Sequence, residues 1–385
     1  MLEQMRSPTI IDGSAPLEWQ AVLRELAPVF AARAIAHDAD DSFVADNFRD
    51  LATYHVFSAG VPLELGGGGL SHGELCGLLR GLGRACGSTA LALSMHSHLV
   101  ATMVWKHRRG QPVAGTLRRI ASDQLVLIST GASDWLAPSA SAVRVDGGFR
   151  ITGRKIFGSG SPGGNVLVTM AMHDDPVDGP TALHFSVPMS DPGVKVLENW
   201  RALGMRGSGS NDVLLNDVFV PDSAVSLRRS FGRWHPVFNA ILTIALPLIE
   251  SAYLGVAEAA RDLAVQQVHR KREDPEVWYL LGELDNALTT AQLAVQSGID
   301  LCANYTFTAD DATANAAAIR KTIAAQALIS AVERALEVVG GGGLFRSMGL
   351  ERLLREIHCV QFHPLQAKRQ QRMSGRIALG LQPVE

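Results

Sequence analysis

Cysteine is scarce: four residues in 385, Cys76, Cys86, Cys302 and Cys359, lie scattered with no C-x-x-C pair. That excludes a thiolate zinc site and a disulfide framework, and it reads as free thiols in a reducing compartment. No charge of one sign is in excess, since 35 Lys+Arg stand against 38 Asp+Glu for a net charge of -3. A chain without a global positive field does not hold a polyanion, so nucleic acid is not an expected partner. No apolar run reaches the ~20 residues of a membrane span; residues 237–249 come nearest and are interrupted by Asn239, Thr243 and Pro247. The segment 1–15 carries Glu3, Arg6 and Asp12 and has no apolar stretch, unlike a secretion signal. A cytoplasmic protein without a membrane partner is expected. A Walker phosphate loop is missing as well, because neither glycine tetrad, 66–69 or 340–343, is followed by Lys-Ser/Thr.

What the chain does have is a hydrophobic share of 47% and a change of period along its length. Apolar residues recur at three and four in the first third (Leu23, Leu26, Val29, Phe30; Leu75, Leu78, Leu79, Leu82), the helical spacing, with residues 60–69 reading as a Pro/Gly loop. In the middle third the period becomes two, and Asp146-Gly147-Gly148 between Val143–Val145 and Phe149–Ile151 predicts a hairpin. Helical spacing then returns, as in Ile319, Ile323, Leu328, Val332 and Leu336. Blocks of helix, sheet and helix predict an α+β protein of three segregated domains, residues 1–123, 124–227 and 228–385, rather than alternating βαβ units.

Few motifs carry chemistry by themselves. Residues 158–163 fit G-x-G-x-x-G, but a strand-like run follows where a dinucleotide site needs a helix N-terminus. His96 and His98 lie two apart on a predicted helix, about 200° around its axis, so one metal cannot take both; no metal site is expected. Either could line an active site or fill a core. The run Lys368, Arg369, Arg372, Arg376 reads as a solvated helix face.

Taken in order, six segments resemble the acyl-CoA dehydrogenase superfamily of flavoproteins. They are the loop 60–67; Leu127 to Asp134, similar to L-T-E-P-x-x-G-S-D; Gly153 to Gly160, similar to G-x-K-x-W/F-I-T/S-N/G; Leu203 to Ser208 with Asp217 to Pro221, similar to L-G-x-R-G-S and D-V-x-V-P; Ala335 to Gly341; and Glu351 to Glu356. The resemblance implies an N-terminal helical domain, a central β-barrel-like domain and a C-terminal four-helix bundle that assembles a homotetramer. It implies a flavin, FAD or FMN, with Ser129 and Ser159 as hydroxyl donors, Ile128 and Thr130 beside them, Phe157 covering the ring, and Gly340 and Gly341 approached by the cofactor. Ser133 and His96 would meet a small-molecule or acyl-thioester substrate.

Departures from the family pattern bear on the reaction. The family's glutamate base stands near the C-terminus or on the helix before its L-G motif; the matching positions here hold Pro364, after His363, and Ala245. Removing the α-proton of an acyl thioester needs an oriented base. Glu250 is rotated about 140° from Ala245 and should face elsewhere. Glu337 stands where the family has glutamine near a diphosphate, which makes FMN plausible beside FAD. Phe362 to Lys368 resembles the H-D-P-x-x-x-K stretch of the superfamily's monooxygenases, which take reduced flavin from a separate reductase and use oxygen. On that reading His363 and His98 are catalytic, with an imidazole able to exchange protons near neutral pH. The alternatives are an acyl-CoA dehydrogenase with an unidentified base, and a catalytically silent subunit of a heteromeric dehydrogenase that passes electrons to a partner.

Overall fold

Helical spacing between Pro/Gly breakers gives five helices first. In the computed structural model, which describes residues 16–131 and 134–385, they are α1 (Trp19–Asp40), α2 (Ala45–Thr53), α3 (His72–Ala85), α4 (Gly87–His107) and α5 (Ala114–Asp123). Ser71 opens α3 with a capping box, its hydroxyl and the Glu74 carboxylate reciprocally satisfying free backbone N–H groups. Apart from its half-buried C-terminal turn, α4 is buried along most of its length.

Eight strands follow: β1 (Leu127–Ser129), β2 (Ser141–Val145), β3 (Gly148–Gly158), β4 (Val166–Asp175), β5 (Gly179–Pro188), β6 (Val194–Val196), β7 (Asn211–Pro221) and β8 (Val225–Ser230). They form one sheet in the order β6-β7-β3-β2-β4-β5-β8, with β1 parallel to β4. The predicted hairpin is present, Val145 pairing with Gly148 across the Asp146-Gly147 turn. After Gly158 a short 3-10 turn, Ser161–Gly163, leads straight into β4, so the glycine motif is a turn between strands.

The C-terminal part holds α6 (Val237–Val268), α7 (Pro275–Cys302), α8 (Asp311–Val339), α9 (Leu350–Ile357) and α10 (Ala367–Ala378). Pro247 sits inside α6 without ending it, and its ring fits against Gly298 of α7, where a Cβ would stand 3.4 Å away. By length and composition α6 could cross a membrane, yet 94% of its apolar window is buried inside the protein; it is the helix around which the others pack. Its approach to α3 is backbone on backbone. A Cβ on Gly83 would stand 2.1 Å from the Ala252 carbonyl oxygen, and one on Gly255 2.1 Å from that of Arg80.

Two of the sequence segments hold these layers together. Arg355 of α9 donates to Asp38 at the end of α1 (2.5 and 2.9 Å), to Glu351, and to the Leu203 carbonyl (3.0 Å) of the β region. Lys155 of β3 and Asp134, both buried, form an ion pair that ties the Gly153–Gly160 segment to the one beginning at Leu127.

Candidate active site

Where β1, β4 and β5 face α4 and α6, the side chains do not meet, and a cleft of about 170 Å³ remains, open to solvent. A concave, largely apolar cleft with a few polar groups is the usual form of a small-molecule or cofactor site. Much of its wall is apolar, including Trp135, Met170, Phe238 and Ile249. The polar groups on it are few: His98 and Thr102 from α4, Ser129 and Thr169 from the sheet, His184 from β5, and His363 next to Pro364.

The two histidines expected to be catalytic are therefore brought into one cavity from positions 265 apart in sequence. His363 Nε2 lies 2.8 Å from the hydroxyl of Tyr253 on α6. Burial keeps that phenol protonated, and among the described residues its O–H has no other acceptor. Tyr253 thus donates to Nε2, and Nδ1 is left as the N–H donor of the ring. His98 has the other arrangement. Its Nδ1 lies 3.3 Å from the Ser94 carbonyl oxygen, so Nδ1 carries the proton and Nε2 is the acceptor.

The expectation that these rings exchange protons near neutrality needs correcting. Burial pushes His98 down to about 4. His363 goes down to about 3, first from burial and then from the charges of Lys321 and His98. Both are neutral imidazoles at physiological pH, one offering an N–H and one a lone pair.

His96 is corrected as well. Two positions before His98, it points to the opposite side of α4, where Nε2–H donates to the Phe57 carbonyl (2.7 Å) and Nδ1 accepts from the Leu127 N–H (3.0 Å). With both nitrogens engaged and 1% exposure, it ties α4 to β1 and leaves no atom for a substrate. Ser133 lies outside the described residues.

Of the expected cofactor contacts, Ser129 lines the cavity and Thr130 stands behind it, its hydroxyl donating to Thr169 Oγ1 at 2.8 Å. That bond leaves Thr169 with its own O–H to give into the cavity. Ile128, in the middle of β1, is buried in the core with its side chain against Gly164. Phe157 and Ser159 do not line this cleft: Phe157 is 49% exposed beside Trp200, and the Ser159 hydroxyl is bonded to that of Ser210 at 2.8 Å. Gly340 and Gly341 end α8 with open space around them. The donor set fits a flavin ring: a planar heterocycle with carbonyl and imine acceptors meets Ser129 and Thr169 as hydroxyl donors, with apolar walls on either side and Gly131 leaving room beside Met170.

Both positions of the family's glutamate face this cavity, as Ala245 and Pro364, and no carboxylate lines it among the described residues. Glu250 does point elsewhere, into a small void between α6, α7 and α8, with both oxygens unbonded. Sequence reading missed Tyr253, Thr169 and His184. Each sits in an ordinary apolar helix or strand pattern, and only the third dimension gives it a partner.

The chain matches the acyl-CoA dehydrogenase N-terminal domain over residues 18–122, the middle domain over 129–218 and the C-terminal domain over 248–367. It is 33% identical over 259 residues to an amino sugar nitrososynthase of Streptomyces rubradiris, 64% of this chain and 60% of that protein. An amino sugar nitrososynthase of Streptomyces peucetius is 28% identical over 365 residues, 89% of this chain and 88% of that protein. Among solved structures, KijD3 in complex with FMN and dTDP-3-amino-2,3,6-trideoxy-4-keto-3-methyl-D-glucose superimposes with a TM-score of 0.84 at 29% identity, over 96% of both chains.

Proposed function

The chain belongs to the acyl-CoA dehydrogenase superfamily of flavin-dependent oxidoreductases, and from that premise we propose that it is an FMN-dependent monooxygenase of a small organic molecule. One observation carries this reading. The two places from which the superfamily's glutamate removes an α-proton open on the cavity as Ala245 and Pro364, while two neutral imidazoles of opposite polarity, His98 and His363, stand in its wall. FMN is favoured over FAD by the FMN in the KijD3 complex and by Glu337, an anion paired with Arg334 at 2.7 Å near the end of α8.

FMN, delivered reduced by a separate reductase, would supply the two electrons with which dioxygen gives one inserted oxygen atom and one water. Ser129 and Thr169 would hold the polar edge of the ring. Tyr253 fixes His363 so that its Nδ1–H is offered to a developing oxyanion, and the His98 Nε2 lone pair is placed to accept a hydrogen bond from the substrate and orient it. The apolar wall of α6 keeps water from the reacting atoms. A homotetramer fits with the exposed Leu344, Phe345, Phe362 and Leu379 of the C-terminal part.

The test begins with titration of FMN and FAD followed by flavin fluorescence, FMN being expected to bind more tightly. His363→Ala should keep that affinity while oxygen consumption turns to hydrogen peroxide release, with product formation down ~10²–10⁴-fold. Anaerobic bleaching of the bound flavin by a saturated acyl-CoA would overturn the proposal in favour of a dehydrogenase.

A further inference from the structure

Behind one end of the cavity stand cations that have no anion among the described residues. Arg229 on β8 is 5% exposed, and its guanidinium is consumed by neutral acceptors: the carbonyls of Trp135, Leu136 and Ser230, and His184 Nε2 at 2.8 Å, with Met170 Sδ at 3.4 Å and the face of Phe238 at 4.9 Å. Among the described residues no carboxylate lies within salt-bridge distance of it. Of these contacts, Trp135, Met170, His184 and Phe238 themselves line the cavity, so a ligand there is one side chain away from an uncompensated positive charge.

His184 passes that charge on as a directed hydrogen bond. Since Arg229 Nε–H donates to Nε2, the proton of the neutral ring is on Nδ1. Nδ1 has no partner among the described residues and is not sealed in the interior. A second cation approaches along α4: Lys106 continues the i, i+4 face of His98 and Thr102, both cavity residues, by one turn. Lys106 is half-buried and forms no ion pair among the described residues. Burial and the charges of Arg229, His235 and Lys106 together hold the His184 ring neutral, down at about 3. All three of those neighbours are basic, and no acid enters the group.

We propose that this end of the cavity, lined by His184 with the charges of Arg229 and Lys106 behind it, is an anion subsite that receives the carboxylate, phosphate or sulfonate of a ligand whose apolar body lies against Trp135 and Phe238. Burying a cation without a counter-ion is costly, and a ligand anion returns that cost as binding energy through a charge-assisted N–H bond. The inference deepens the monooxygenase reading by naming its substrate class, and it rests on that reading only for which molecule bears the anion. That molecule is either the organic substrate or FMN through its phosphate.

The two sources separate in one set of titrations on the full chain, followed by tryptophan fluorescence, to which Trp135 and Trp234 contribute. In the first arm benzoate is compared with benzamide, in the second FMN with riboflavin. The wild type should prefer the anion by at least about tenfold in one arm. Lys106→Met and His184→Gln should each shrink that preference severalfold with the neutral compound unaffected; His184→Gln keeps an acceptor for Arg229, so folding is preserved. A preference in the benzoate arm assigns the anion to substrate, and one in the flavin arm to the phosphate of FMN. A wild type that binds the neutral member as well as the anion in both arms, or that binds neither pair, overturns the subsite, as does a preference unchanged in both variants. The benzoate arm needs no flavin, so the subsite can fail with flavin binding intact, and flavin binding can fail with the subsite intact.

Discussion

At the scale of single residues, a side chain's chemistry here is set by the one neighbour it meets. Tyr253 shows this best. Fully buried and unremarkable in an apolar helix, it fixes the tautomer of His363 from 110 residues away. Tyr253→Phe should leave FMN affinity unchanged and cost about 1 kcal/mol of stability, the usual worth of one buried hydrogen bond. Freed of its donor, the His363 ring can take either tautomer, so peroxide released per FMN reoxidised should rise severalfold, less than in His363→Ala. A coupling ratio equal to wild type would mean that the phenol does no more than fill space. His98 and His363 were legible as candidates through the family resemblance, but their tautomers, their low basicity and the diversion of His96 into a purely structural bond were not. Those depend on which carbonyl or hydroxyl the fold brings within 3 Å, and no local pattern encodes that.

At the scale of elements, the segments easiest to read in the sequence turn out to hold the layers together. The Leu203–Ser208 and Glu351–Glu356 stretches meet through Arg355, and the Lys155 and Asp134 segments meet through a buried ion pair. Hydrophobic period gave helix, sheet and helix, since a buried face must repeat with the geometry of its element. It could not foresee that α6 runs on through Pro247, because the room for that ring is supplied by α7. The α3–α6 crossing gives a sharp test. Gly255→Ala would drive a methyl to 2.1 Å from the Arg80 carbonyl oxygen, backbone that cannot step aside, and should destabilise the protein by about 3 kcal/mol or more. Gly115→Ala in α5 meets nothing within 4 Å and should be neutral or stabilising by up to about 1 kcal/mol. Chemical denaturation of the two variants measures the contrast, and equal effects would show that the crossing relaxes.

At the scale of the whole molecule, buried ionisable groups of opposite sense set how stability varies with pH. His72, His96 and His98 are almost entirely enclosed, and burial pushes each down to about 4. Unfolded, each regains a value near 6.5. A depressed pKa means that the unfolded chain binds the proton first, so the stability these neutral rings allow is complete above about 6.5 and is lost as the pH falls from there towards 4. Each ring takes away up to about 1.4 kcal/mol per pH unit in that window, and the three together about 4. Glu250 acts with the opposite sign. Burial, only partly offset by the Lys321 ammonium, raises its carboxyl to about 8, so its contribution is present below the ordinary carboxylate value and is lost as the pH rises towards 8. Thermal unfolding followed by calorimetry should therefore give a Tm that drops steeply as the pH falls from 6.5 to 4.5 and more gently as it rises from 6.5 to 8. His72→Gln should flatten the acid limb. In that ring Nε2 meets the Ile244 carbonyl at 2.9 Å, a bond the glutamine amide can replace without a titrating proton. A Tm that holds constant from pH 6.5 to 5 would mean that these imidazoles reach water in the folded protein and that α3 and α4 are far more open than their packing against α6 implies.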